Sequence, residues 1–241
     1  MIWPLSTRRS PCCFRALPLV AVSALVLGLA AAAPPRLAGQ EAPGAVIRGV
    51  ESLMAALQRA DQRWRPRVEI LPGGGTRYWY RRQPGDAPLT LPEIRRLIAD
   101  PPSFATERLA IIKLLRALQQ QGVVVRLERP RLVGAAGEWD PASRSLRIKP
   151  QVVNQGTRAF ARVLNHEAIH VAQSCRGGSR GGKPAPLGLS QALPPSQAAV
   201  LDQPPYEHAS AEQKALEREA YANQQDLTLG PVMLESHCRQ R

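Results

Sequence analysis

Apolar residues at Val46, Val50, Leu53, Leu57 and Ala60 recur at the spacing of one helix face, which predicts a helix over residues 46–60. Two extended runs, 67–71 and 76–82, flank the turn residues Pro72, Gly73, Gly74 and Gly75 and predict a strand hairpin or two short strands, with Trp79 and Tyr80 expected to fill the core. Thr90 followed by Glu93 is a capping box that opens a helix to Asp100, stopped by Pro101 and Pro102. A longer helix is predicted from about 106 to 121, with Leu109, Ile112, Leu115 and Leu118 turned inward and Gly122 as its end signal. The β-branched run 123–128 predicts a strand. Two short arms around Asp140, Pro141, Ala142 and Ser143 predict a second hairpin. Helical spacing returns near Thr157, where Phe160, Val163, Leu164 and Val171 mark a buried face. A Gly- and Pro-rich loop, 176–206, separates this segment from a helix that Ser210 would cap and that would run to about Asp226, leaving 227–241 as a tail. Strands followed by a hairpin and then a long helix describe an α+β domain in which a sheet edge lies over that helix.

The first 40 residues change the picture of where the chain works. Arg8, Arg9 and Arg15 precede an uncharged apolar run from Ala16 to Ala33 and small residues near Ala38 and Gly39, the form of a cleaved signal peptide. The run is short for a membrane span. The expected organisation is therefore 1–40 as signal and 41–241 as one domain, secreted or periplasmic, with no stable span after cleavage. Cys12 and Cys13 would leave with the leader, so Cys175 and Cys238 remain as an even pair in an oxidising compartment and are expected to be bonded.

The formal charge is +13; the leader holds four of the 32 basic residues and none of the 19 acidic ones, which leaves 28 against 19, a net +9. A basic surface favours anionic partners. The arginines, however, are spread through almost every segment, and no nucleic-acid-binding module is present, so no specific nucleic acid is expected. The densest patch, 176–184, reads as a flexible basic loop.

The predicted helix near 157 carries His166-Glu167-Ala168-Ile169-His170, the H-E-x-x-H spacing. Residues four apart on a helix stand one above the other, so both imidazoles can reach one ion, and Zn²⁺ is the expected cofactor. Glu167, aimed differently, would act as general base on a metal-activated water. A third ligand must come from downstream, where His208, His237, Glu207, Glu217 and Glu219 are the candidates. Tyr206 or His208 could serve as donors to an oxyanion.

Residues 157–223 resemble the active-site half of a gluzincin-type metallopeptidase, and the stretch around the motif is similar to small exported proteins of unassigned function. The resemblance implies a small zincin-like domain: a short twisted sheet and hairpin over the H-E-x-x-H helix, an edge strand along which an extended substrate aligns, and a third-ligand helix near the C-terminus. In these families the third ligand is a glutamate often followed at the third position by alanine and at the fourth by aspartate or asparagine. Glu219-Ala220-Tyr221-Ala222-Asn223 fits better than the frame that begins at Glu217, so Glu219 is favoured and Glu217 is the alternate. Arg176 stands where a metzincin would have its third histidine. The function implied is an exported zinc-dependent hydrolase, a peptidase acting on peptide or protein. The competing expectations are a non-catalytic zincin-fold binding or structural protein and a basic envelope protein that binds anionic polymers.

Overall fold

The structure, a computed structural model, describes residues 45–47, 49–83, 86–178 and 183–238. The signal-peptide expectation and part of the basic loop at 176–184 lie outside the described residues. The order of elements is β1 (Ala45–Val46), α1 (Val50–Trp64), β2 (Arg67–Ile70), β3 (Thr76–Trp79), α2 (Leu91–Ala99), α3 (Ala105–Gln120), β4 (Val124–Leu127), β5 (Gly137–Asp140), β6 (Ser145–Ile148), α4 (Pro150–Asn154), α5 (Thr157–Arg176), α6 (Pro195–Ala198), a 3₁₀ turn (Ala199–Asp202), α7 (Ala211–Asn223) and α8 (Leu229–His237). The domain is α+β, as the order of runs predicts.

The main sheet has strand order β1-β4-β6-β5. β4 and β6 pair in parallel, while β1 and β5 lie antiparallel on the two flanks. β6 is buried along its whole length, so the apolar Leu146 and Ile148 face the core and Arg147 must find partners. It finds three carboxylates, Glu128, Glu138 and Asp140. β5 is left as an edge strand, and it crosses α5.

α5 is the axis of the domain. It packs against α3, α7, α8, α1, α4 and β5, and nearly every side of it is covered. Its start is fixed from another helix: Asp61 of α1 accepts hydrogen bonds from the Thr157 amide and hydroxyl, at 2.8 and 2.6 Å, and from Arg108. Gly156 makes this approach possible, because its φ is +101° and a Cβ there would lie 2.6 Å from the Asp61 carboxylate.

Several sequence expectations are corrected. The first helix begins at Val50, because Val46 pairs with Arg126 of β4. The inward face of α3 is Ile111, Leu114, Leu115 and Leu118, and Leu109 is exposed. The C-terminal segment is a helix, α8, laid against α5 and α3 and held by the disulfide between Cys175 and Cys238. Trp79 does not fill the core; the β2–β3 hairpin projects from it and leaves that ring 52% exposed. Among the described residues no helix is long and apolar enough to cross a membrane.

Candidate metal centre

Two turns of α5 place His166 and His170 on the same side, and α7 brings Glu217 to them. The two imidazole Nε2 atoms lie 3.1 Å apart, and Oε2 of Glu217 is 3.4 Å from each. Donors about 2.0–2.1 Å from a tetrahedral zinc lie roughly 3.3 Å from one another. The triangle therefore has the size that a divalent ion of this class would impose. Oε2 of Glu217 and Nδ1 of His166 are buried without a hydrogen-bond partner, and the carboxylate oxygen is the atom aimed at both imidazoles. His166, His170 and Glu217 together could hold a metal ion.

Glu219, which the sequence pattern favours as third ligand, points elsewhere. It is fully buried and accepts hydrogen bonds from the amides of Leu187 and Leu189, at 2.9 and 2.8 Å, and from Gln173 Nε2 at 2.9 Å. Residues two apart on a helix are about 200° apart around its axis, so one faces the ion and the other cannot. Glu219 instead ties the segment after the basic loop to α7. Asn223, read in the sequence as a companion of the ligand, donates to Ser190 O and Glu219 O and supports the same junction.

Glu219 also acts on the site through Gln173. Nε2 of Gln173 faces two acceptors, the Glu219 carboxylate and Leu216 O, so Oε1 must be the atom that meets His170 Nδ1 at 2.7 Å. His170 then carries a proton on Nδ1 and presents a bare Nε2 lone pair to an ion. Gln173→Leu should weaken metal binding about 10–100-fold, the usual cost of an outer partner. A competitive chelator titration measures it, and unchanged affinity would remove Gln173 from the site.

Glu167 lies under the edge strand. A Cβ on Gly137 would come within 2.5 Å of its Oε1 and 2.7 Å of its Cγ, so only glycine at that point of β5 leaves room for the carboxylate. The Trp139 amide donates to it, and the Trp139 indole donates to Ser174 Oγ at 2.9 Å, which ties β5 to α5 on the other side. Gly137→Ala should displace the Glu167 carboxylate while leaving stoichiometric metal binding intact, a combination that metal analysis and a crystal structure of the variant would test together.

Glu167, His170, Glu217 and Tyr206 line a cleft of about 310 Å³ whose apolar walls include Leu132, Trp139 and Leu216. The Tyr206 hydroxyl is 3.4 Å from that of Tyr221, whose ring meets His166 edge-on at 4.6 Å. Burial first, then Glu217, raises the Tyr206 pKa, so this phenol keeps its proton. His208 is largely exposed beside Glu207, and neither it nor His237 joins the cluster. Tyr221 and Asn165 were missed in the sequence. Asn165, adjacent to the first histidine, donates to Gln224 O and Asp226 O and accepts from the Gly230 amide, and so sets the α7–α8 connection.

Electrostatics in the metal-free site follow from burial and crowding. Burial pushes Glu167 up to about 8, against the pull of His170. Burial alone would lower His170, but the Glu217 and Glu167 carboxylates outweigh it and hold the imidazolium up to about 9. Burial lowers His166 and opposes the ionisation of Glu217, whose pKa is nevertheless driven well below the usual range by His170. Both raised values act on stability in one direction. The His170 contribution is complete below its ordinary 6.5 and is lost as pH climbs to about 9; ionising Glu167 opposes folding increasingly from about 4.5 to about 8. The metal-free protein should therefore melt at lower temperature as pH rises from about 6 to about 9. Stabilisation by added zinc should grow over the same window, because the ion competes with the His170 proton. Calorimetry with and without zinc reads both slopes.

Comparison with protein-family models, with curated proteins and with solved structures yields no match to this chain.

Proposed function

We propose that the protein is an exported, zinc-dependent hydrolase of zincin-like architecture that cleaves peptide bonds, with His166, His170 and Glu217 as metal ligands and Glu167 as general base. The observation that carries this reading is the triangle of two Nε2 atoms and one carboxylate oxygen, with a buried glutamate beside it on the wall of an open cleft. A zinc ion at such a site supplies a Lewis acid and lowers the pKa of a water at its open position. The chain's own groups do the rest. Glu167, whose pKa burial has raised and which a nearby cation would lower again by favouring the carboxylate, takes a proton from water and returns it to the leaving amine. The protonated Tyr206 hydroxyl is the donor placed for the developing oxyanion. Gln173, held by Glu219, keeps His170 in its ligating tautomer.

The fold supports the same reading in its finer detail: an edge strand over the H-E-x-x-H helix and a carboxylate ligand from a later helix. The Cys175–Cys238 bond fits an oxidising compartment and thus export. The test is incubation of the secreted protein with a mixed-sequence peptide library followed by mass spectrometry. Cleavage that a chelator stops and zinc restores supports the proposal; no cleavage by the zinc-loaded protein in any peptide refutes it.

A further inference from the structure

The β2–β3 hairpin carries chemistry that the cleft does not use. Its strands pair from Arg67 with Trp79 to Ile70 with Thr76, and Arg95 of α2 holds one end, donating to the Tyr78 hydroxyl and lying over its ring. The rest stands clear. Ile70 is 70% exposed, Trp79 52% and Val68 46%, while Leu91, at the start of α2, is 44% exposed. The apolar tip is closed by the turn between Leu71 and Gly75. Between residues 63 and 82 there are six arginines, Arg63, Arg65, Arg67, Arg77, Arg81 and Arg82, and one acidic residue, Glu69. That glutamate is taken up by Arg77 and by the Trp79 indole. Arg67 and Arg77 lie on the strands of the hairpin and Arg65, Arg81 and Arg82 flank its base, beside Tyr78, Trp79 and Tyr80, while Arg63, on α1, donates to Asn154.

We infer that this arm docks on anionic phospholipid bilayers. Guanidinium groups pair with lipid phosphates, an indole settles at the headgroup level, and the aliphatic tip passes below it. Each of the three features has a place there. A nucleic acid or an anionic polysaccharide would engage the arginines and rings but leave Ile70 and Val68 in water. A second copy of the arm would set like charges against each other. An exposed aliphatic tip on a strongly cationic hairpin matches a surface that is anionic outside and apolar within.

The test uses the full chain and reads Trp79 directly. Its emission, obtained as the difference between the wild type and Trp79→Phe, is followed against vesicles of phosphatidylcholine alone or mixed with phosphatidylglycerol, with brominated acyl chains as quencher. Quenching of Trp79 by the anionic vesicles, lost in Ile70→Asp, is the expected result. The double variant R67Q/R81Q, at two exposed positions, should require about 25-fold more anionic lipid for the same quenching, at about fivefold per arginine. Its circular dichroism should match the wild type. No Trp79 quenching, equal quenching by neutral vesicles, or an arm-dependent dimer in sedimentation would overturn the inference. The outcome is independent of metal binding and of peptide cleavage.

Discussion

Glu217→Ala should weaken zinc binding about a hundredfold and leave the fold standing, whereas Glu219→Ala should damage the fold. Zinc held by four protein ligands is bound by about 10–16 kcal/mol, so one ligand is worth roughly 3 kcal/mol, around two orders of magnitude in affinity. Glu217 serves no second purpose, since its Oε2 has no hydrogen-bond partner and its attraction is to the two imidazoles. Trimming it should also remove the charge that holds His170 up to about 9, so the alkaline loss of stability in the metal-free protein should shrink. Glu219 is the opposite case. Its removal leaves two amides and one of the two Gln173 Nε2 hydrogens without an acceptor, a cost of about 3–5 kcal/mol. Thermal melting and zinc titration on the two variants separate the roles. The reverse pattern, metal lost in the second and fold lost in the first, would reinstate the sequence-favoured ligand.

The second large effect is expected at Glu167. Glutamine is isosteric, retains an oxygen for the Trp139 amide and fits under Gly137, but it cannot take a proton. Turnover of any peptide found in the library should fall about 10²–10⁴-fold with zinc content unchanged. The same substitution removes a group whose ionisation opposes folding, so above about pH 8 metal-free Glu167→Gln should melt at higher temperature than the wild type. Steady-state kinetics with metal analysis on one preparation checks the first part, and calorimetry the second. Undiminished turnover would assign the base to another group.

The H-E-x-x-H helix was readable because its chemistry is local: four residues make one turn, and apolar neighbours mark its buried side. The choice between Glu217 and Glu219 was not. Both lie on α7, and which of them meets the histidines depends on the rotation of that helix, which Asn165 and the Leu187–Leu189 segment fix from outside it. The small residue of the pattern did report close packing, but in the other frame: Ala220, three residues after Glu217, is fully buried, whereas Ala222, three after Glu219, is half-buried. The segment expected as a tail forms α8 although it contains Gly230 and Pro231, residues that disfavour a helix interior. They fall in the first turn of the helix, where a missing N–H costs little, and the Gly230 amide is taken by Asn165. Trp79 misled for a different reason: burial of an aromatic ring requires a partner surface, and no local pattern shows whether a hairpin folds back or stands out.

X-ray absorption at the zinc edge of the reconstituted protein tests the central claim most directly. The account predicts one ion per chain with two imidazole nitrogens and a carboxylate oxygen at about 2.0–2.1 Å, and a shell that loses its carboxylate in Glu217→Ala. An all-oxygen shell, or the same spectrum in that variant, would contradict it.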